Sequence, residues 1–409
     1  MNRRRRLAQS FRGGGGIGGH GGSPNALART TVPLDSMVDA GRSVQQRPGR
    51  SGRKSALAAP SDQRIPLRLV SLFALPSLAI PLRALPLLAL LLLVVGCNGS
   101  SRPSVNSGET GQLKVVATVG MVGDLVREIG GEHVDVVQIC GTGVDPHTYQ
   151  PIRDDVVAIM AADLVFYCGL RLEGKMEDIL RKVSKDKPTI AVAEVIEPSL
   201  LLTPEDASGH SDPHLWNDVS LWSRCAKVVG EQLAVAIPDH ASEIQSKTLA
   251  YRERLKELHA WGGEVMATIP ERSRLLVTSH DAFNYFGRAY GLDVMGVQGI
   301  STESEAGLRR INELVDTLIE RDVKAVFVES SVPRRNIEAL VEGTQSRGHK
   351  VIVGGELFSD AMGSPGTYEG TYVGMLDHNL TTAARALGGK VDAGGFQGKL
   401  SEVADSATH

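Results

Sequence analysis

Downstream of residue 112 the chain alternates short apolar, β-branched runs with longer amphipathic segments. The runs fall at residues 114–119, 134–140, 164–168 and 189–193, then at 275–278, 292–297, 325–328 and 350–353. Strands covered on both faces read as continuous apolar runs, and their alternation with helical segments predicts parallel α/β sheets. The two groups of four are separated by a long stretch without a strand signal. Within it Ile244, Thr248, Tyr251, Leu255, Leu258, Val265 and Ile269 share one face at helical spacing, interrupted once at Gly262. Pro238 stands at its start and Pro270 at its end, predicting one helix over 239–268. At 1.5 Å per residue it would span about 40 Å, the width of a lobe. The pattern therefore predicts an α/β protein of two lobes with parallel sheets, an N-terminal lobe over 113–238 and a C-terminal lobe over 270–409, joined by one long interlobe helix over 239–269.

Residues 1–96 read differently. The apolar run Ala89-Leu90-Leu91-Leu92-Leu93-Val94-Val95 follows Arg68 and Arg83 and closes in Gly96-Cys97, which resembles the lipobox of a bacterial lipoprotein signal. A membrane-spanning helix needs roughly 20 apolar residues, and Pro76, Pro81, Arg83 and Pro86 break the run upstream. The expected arrangement is a leader and signal peptide over 1–96, a lipidated Cys97, and a polar Gly/Ser-rich tether through residue 112. It places the body outside the cytoplasm, held to a bacterial membrane through the lipid on Cys97.

Setting the leader aside changes the charge. It carries 14 of the 44 basic and 3 of the 47 acidic residues, so the chain's formal net charge of −3 becomes −14 for the remainder. A body so acidic speaks against nucleic acid as a partner and suits the handling of cations. Besides Cys97 it holds Cys140, Cys168 and Cys225. An odd number without C-x-x-C spacing suggests neither a thiolate zinc site nor a redox pair. Buried free thiols are the favoured reading, with a Cys140–Cys168 disulfide as the alternative.

The candidate chemistry lies in four short stretches: Gly143-Val144-Asp145-Pro146-His147, Asp212-Pro213-His214-Leu215-Trp216, Thr278-Ser279-His280-Asp281-Ala282-Phe283 and Leu357-Phe358-Ser359-Asp360-Ala361-Met362-Gly363. All but the second follow a predicted strand, and ligands of open α/β sheets bind beyond the strands' carboxyl ends. Imidazole and carboxylate are the donors expected for zinc or another first-row divalent ion. Asp281 reads as a helix N-cap or a partner of the ligands, and Glu303, Glu305 and Glu329 as turn, cap or lobe-contact residues.

Together with Gly169-Leu170-Arg171-Leu172-Glu173, the segment from Ile300 to Gly307, Val328-Glu329-Ser330-Ser331-Val332-Pro333 and the run from Gly366 to Met375, these stretches resemble the zinc- and manganese-binding lipoproteins that feed ABC importers, the TroA-like family. The resemblance covers about residues 115–387. It implies two Rossmann-like lobes with the metal site in the cleft, His147, His214, His280 and Asp360 as ligands of a single ion, zinc or manganese, and a monomer that delivers its cargo to a permease and its ATPase. It implies a transport component rather than an enzyme. Two departures bear on the metal. The third position, Glu in some manganese-associated members, is His280. The long His-rich loop of many zinc-specialised members is reduced to Glu205-Asp206-Ala207-Ser208-Gly209-His210-Ser211. The alternatives are a zinc-dependent hydrolase, against which four protein ligands and the lack of a His-Glu-x-x-His motif speak, and an adhesin-like surface lipoprotein.

Overall fold

The computed structural model of the chain describes residues 111–204 and 209–400. The leader, Cys97, most of the tether and residues 205–208 of the shortened loop lie outside the described residues, as do residues 401–409. The N-terminal half runs β1 (Leu113–Ala117), α1 (Gly120–Gly130), β2 (Val134–Gln138), α2 (Arg153–Ala161), β3 (Leu164–Tyr167), α3 (Glu177–Val183) and β4 (Thr189–Ala191). After α4 (Val219–Ala236) and α5 (Ala241–Ala267), the C-terminal half runs β5 (Leu275–Thr278), α6 (Asn284–Tyr290), β6 (Asp293–Gly296), α7 (Leu308–Glu320), β7 (Ala325–Glu329), α8 (Arg335–Ser346), β8 (Ile352–Leu357) and α9 (Tyr372–Ala386). This is the parallel α/β alternation that the apolar runs predict.

The first four strands form one parallel sheet in the order β2-β1-β3-β4. The second four depart from a continuous ladder. They pair in parallel as β5–β6 and β7–β8, with β5 lying beside β7. Strand β8 also starts later and runs further than the sequence pattern predicts, because Gly354-Gly355 sits inside it. The register passes from Val326↔Val353 to Phe327↔Gly355, a bulge at the glycine pair. There a Cβ on Gly354 would lie 2.7 Å from the Ala386 Cβ, so the missing side chains admit α9 against the strand.

The helices follow from their caps and apolar faces. Asp218 starts α4 by accepting hydrogen bonds from the backbone N–H groups of Ser220 and Leu221, and Thr371 starts α9 by accepting from Gly374. Helix α5 falls within the predicted span, which opens in the 3-10 turn Pro238–His240, and buries Ile244, Thr248, Tyr251, Leu255, Leu258, Gly262, Val265 and Met266. That face packs on α1 and α4 from one half and α6 and α9 from the other. Two glycines set the spacing. A Cβ on Gly230 of α4 would stand 2.1 Å from the Thr248 hydroxyl, and one on Gly262 would stand 2.8 Å from a Leu380 methyl. Gly262 is thus a packing contact inside a continuous helix and not a break in it.

One large apolar core runs from the first sheet across α4, α5 and α9 to α6; a smaller one, including Leu275, Val277, Leu314, Val326, Val328 and Leu340, fills the space between β5, β7 and helices α7 and α8. Cys140, Cys168 and Cys225 are buried free thiols, and burial, the first cause in each case, pushes all three well above the usual thiol range. No helix among the described residues is long and apolar enough to cross a membrane.

Candidate metal centre

Each of the four singled-out stretches places one side chain at a common point. His147 stands in the loop beyond β2, His280 two residues after β5 and Asp360 three residues after β8, all at strand carboxyl ends. His214 precedes the 3-10 turn Leu215–Asn217 that leads into α4. Their donor atoms all lie within 4.8 Å of one another, and all four side chains are buried. His147 Nε2 is 3.1 Å from His214 Nε2 and 3.8 Å from Asp360 Oδ2. Asp360 Oδ1 is 3.4 Å from His214 Nε2, and its Oδ2 is 3.2 Å from His280 Nε2.

The sequence folds so as to hold these side chains. The Asp212 carboxylate caps its own turn, accepting from the His214 backbone at 2.9 Å and meeting the His214 ring Nδ1 at 2.8 Å. Its second oxygen accepts from Asn284 of α6, so both halves position this ring. Trp216, fully buried, donates from Nε1 to the Ser359 carbonyl at 3.0 Å, and Asn217 donates to the Ala282 carbonyl at 2.9 Å. The His-Leu-Trp-Asn segment thereby ties the loops that carry His280 and Asp360. Asp145 accepts from the His147 backbone at 2.9 Å, and its other oxygen accepts from Thr302 of the opposite half at 2.5 Å.

Glu329 corrects the reading of the sequence. It is neither a turn residue nor a cap: buried at the end of β7, it accepts from the His280 backbone N–H at 2.8 Å and meets the His280 Nδ1 at 2.5 Å. A carboxylate on Nδ1 fixes the tautomer and ring orientation, leaving Nε2 aimed at the centre. The available signal was an acidic residue closing an apolar strand, which polarity alone reads as a strand end. The other two glutamates lie at the surface, and Glu303 fits the reading of a lobe contact. Glu303 pairs with Lys175 across the halves at 2.5 Å, and Glu305 pairs with Arg335. Asp281 is not the cap of α6, whose N-cap is Phe283.

The electrostatics suit a cation. Burial pushes His147 down to about 4, with Asp360 opposing, so its ring is neutral near pH 7. Burial would lower His280 too, but Glu329 and Asp360 outweigh it and raise it well above the ordinary imidazole value. Asp360 is held below the usual carboxylate range, burial being overcome by the His280 and His214 rings. An ionised carboxylate thus faces three imidazoles in a buried pocket. His280 Nε2 and both Asp360 oxygens make no well-formed hydrogen bond. Buried polar atoms left so are costly unless something completes them, and three nitrogens with one carboxylate are a donor set for a divalent transition metal. His147 alone of the four lines a cavity of about 500 Å³, together with Leu170, Arg171, His210, Ser301 and Glu303.

The chain is similar to known metal-binding proteins. Residues 115–386 match the family described as the periplasmic component A of the zinc-uptake complex, ZnuA. The manganese-binding lipoprotein MntA of Bacillus subtilis is 46% identical over 297 residues, which cover 73% of this chain and 97% of that protein. The zinc-binding protein TroA of Treponema pallidum is 44% identical over 284 residues, covering 69% and 92%. The solved structure of the periplasmic zinc-binding TroA from Treponema pallidum superposes with a TM-score of 0.66 at 45% identity, covering 68% of this chain and 99% of that one. The chain therefore belongs to the ZnuA family of substrate-binding components of metal-uptake systems.

Proposed function

We propose that this protein captures one divalent transition-metal ion outside the cytoplasm through His147, His214, His280 and Asp360 and delivers it to an ABC permease. The observation that carries the proposal is the convergence of three imidazole Nε2 atoms and one ionised carboxylate in a buried pocket, with the His280 and Asp360 donor atoms left without hydrogen-bond partners. The cargo is substrate, not a resident cofactor. Four protein donors close the coordination sphere, whereas a hydrolytic zinc keeps a position open for water. The lipobox pattern further supports a tether through acylated Cys97, the family resemblance a monomer, and the long helical pattern α5 as the connection between the two halves.

The names of the relatives divide between manganese and zinc, so the metal is argued from the donors. Imidazole suits zinc better than manganese, which prefers oxygen and stands at the weak end of the Irving–Williams order. Zinc therefore binds more tightly here, whichever ion the importer chiefly carries. Metal analysis of the purified protein, followed by chelator competition with each ion, tests both points. One tightly held zinc per chain, lost in His147→Ala and in His280→Ala without change in the circular-dichroism spectrum, is expected. Unchanged stoichiometry in both variants overturns the site, and a manganese constant as tight as that of zinc overturns the preference.

A further inference from the structure

We propose a second, exchangeable site for a borderline divalent ion such as zinc, formed by His133, His240 and Glu243 at the amino-terminal end of β2, the end of that strand opposite His147. His133 ends the 3-10 turn Gly131–His133 just before β2. His240 is the N-cap of α5, and Glu243 stands in its first turn. One nitrogen from each histidine and one carboxylate oxygen lie within 4.8 Å of one another. His133 Nε2 is 3.0 Å from Glu243 Oε2, and His240 Nδ1 is 3.9 Å from the same oxygen. The two rings stack with centroids 3.9 Å apart. This brings their nitrogens to one side, against the carboxylate.

The neighbouring cation does not occupy that oxygen. Lys247 pairs with the other one, Oε1, at 2.8 Å, and lies across Gly131, whose absent Cβ would meet the ammonium at 2.3 Å. The lysine thus orients the carboxylate and keeps it ionised: hydrogen bonds from Lys247 and His133 pull its pKa down to about 2. Two imidazoles and a carboxylate are the donor set of a three-ligand zinc site whose remaining position is taken by water. Calcium, magnesium and manganese prefer oxygen donors and are disfavoured.

Position separates this cluster from the transport centre. His133 precedes β2 and His147 follows it, and a five-residue strand rises about 16 Å between its ends. An ion here would staple the start of β2 to the first turn of α5, which the fold otherwise joins through the His133–Glu243 hydrogen bond. Because His240 and Glu243 are about half exposed, the site exchanges readily and binds more weakly than the buried one.

Zinc chloride titrated into the purified protein, followed by calorimetry, tests the proposal. The wild type is expected to take up two equivalents, one tight and one weaker. His133→Ala/His240→Ala loses only the weaker equivalent and keeps the tight one. Glu243→Gln, which preserves the side-chain shape, does the same and covers the case in which the double variant fails to fold. A single equivalent in the wild type, or a second equivalent that persists in the folded variants, overturns it.

Discussion

Substituting Glu329 with Gln isolates what the carboxylate behind His280 contributes. Glu329 is 2% exposed and presents two acceptors to two donors, the His280 backbone N–H at 2.8 Å and the ring Nδ1 at 2.5 Å. The amide keeps the shape but offers one acceptor and one donor, so one His280 N–H faces an NH2 group. Removing an acceptor from a buried donor costs about 1–3 kcal/mol of stability, and the metal-free variant should melt lower with an unchanged fold. Loss of a carboxylate behind a ligating histidine lowers metal affinity by about 10–100-fold, or roughly 1.4–2.8 kcal/mol at 1.4 kcal/mol per decade. The opposing effect is proton competition, since Glu329 also holds a proton on His280 that a metal must displace. Zinc competition against a chelator across neutral pH measures the balance. The deficit is expected to be greatest at alkaline pH, where the proton no longer competes in the wild type, and to shrink towards acid. Equal or tighter zinc binding by the folded variant throughout would refute the view that Glu329 serves the metal by orienting and polarising the ring.

Three further outcomes follow from packing and burial. Burial raises the Asp124 carboxyl from 3.8 to about 6, beneath Tyr251 and the N-terminus of α9. A raised folded value favours the native state below the unfolded pKa, and that advantage is lost as pH rises through the folded value. Asp124→Asn should therefore stabilise the protein above pH 6 by up to about 3 kcal/mol, at 1.36 kcal/mol per unit, and not at low pH; a pH-independent melting difference would contradict this. Gly262→Val should destabilise by about 1–3 kcal/mol through overpacking against Leu380. Its neighbour Gly263, with nothing within 4 Å of an added Cβ, should accept Ala with a gain of up to about 1 kcal/mol; equal effects in denaturant melts would refute the packing account. Cys140, Cys168 and Cys225 should resist alkylation in the native protein and react after unfolding, as read by mass spectrometry, because burial disfavours their thiolates.

The sequence carried the parallel α/β alternation, the long helix and all four side chains that converge, because each is written in local periodicity or in a short turn motif. What it did not carry depends on contacts between distant segments. Gly262 reads as an interruption of a helical face until Leu380 of α9 is seen against it. Gly354-Gly355 reads as a strand end until Ala386 is seen to need the space. Glu329 reads as an ordinary polar strand end until His280, 49 residues earlier, is found on it. The pairing of the second four strands as two ladders is likewise a matter of register across the chain.

The same long-range contacts make the candidate centre asymmetric. Two rings are clamped from behind on Nδ1 by buried carboxylates, His214 by Asp212 and His280 by Glu329. Trp216 further fixes the loop that carries Asp360. His147 is tied to Asp145 through its backbone N–H rather than its ring, and it borders the cavity that opens towards Arg171 and His210. Three donors thus belong to a rigid, cross-braced wall, while the fourth stands on a loop held to the opposite half through Asp145 and Thr302. If the four act together as proposed, a donor braced through its backbone alone would let one ligand set serve both tight capture and timely release. In the proposed role the braced wall would set the geometry that selects the ion, and the His147 side, the most exposed of the four, is where the pocket meets the surface.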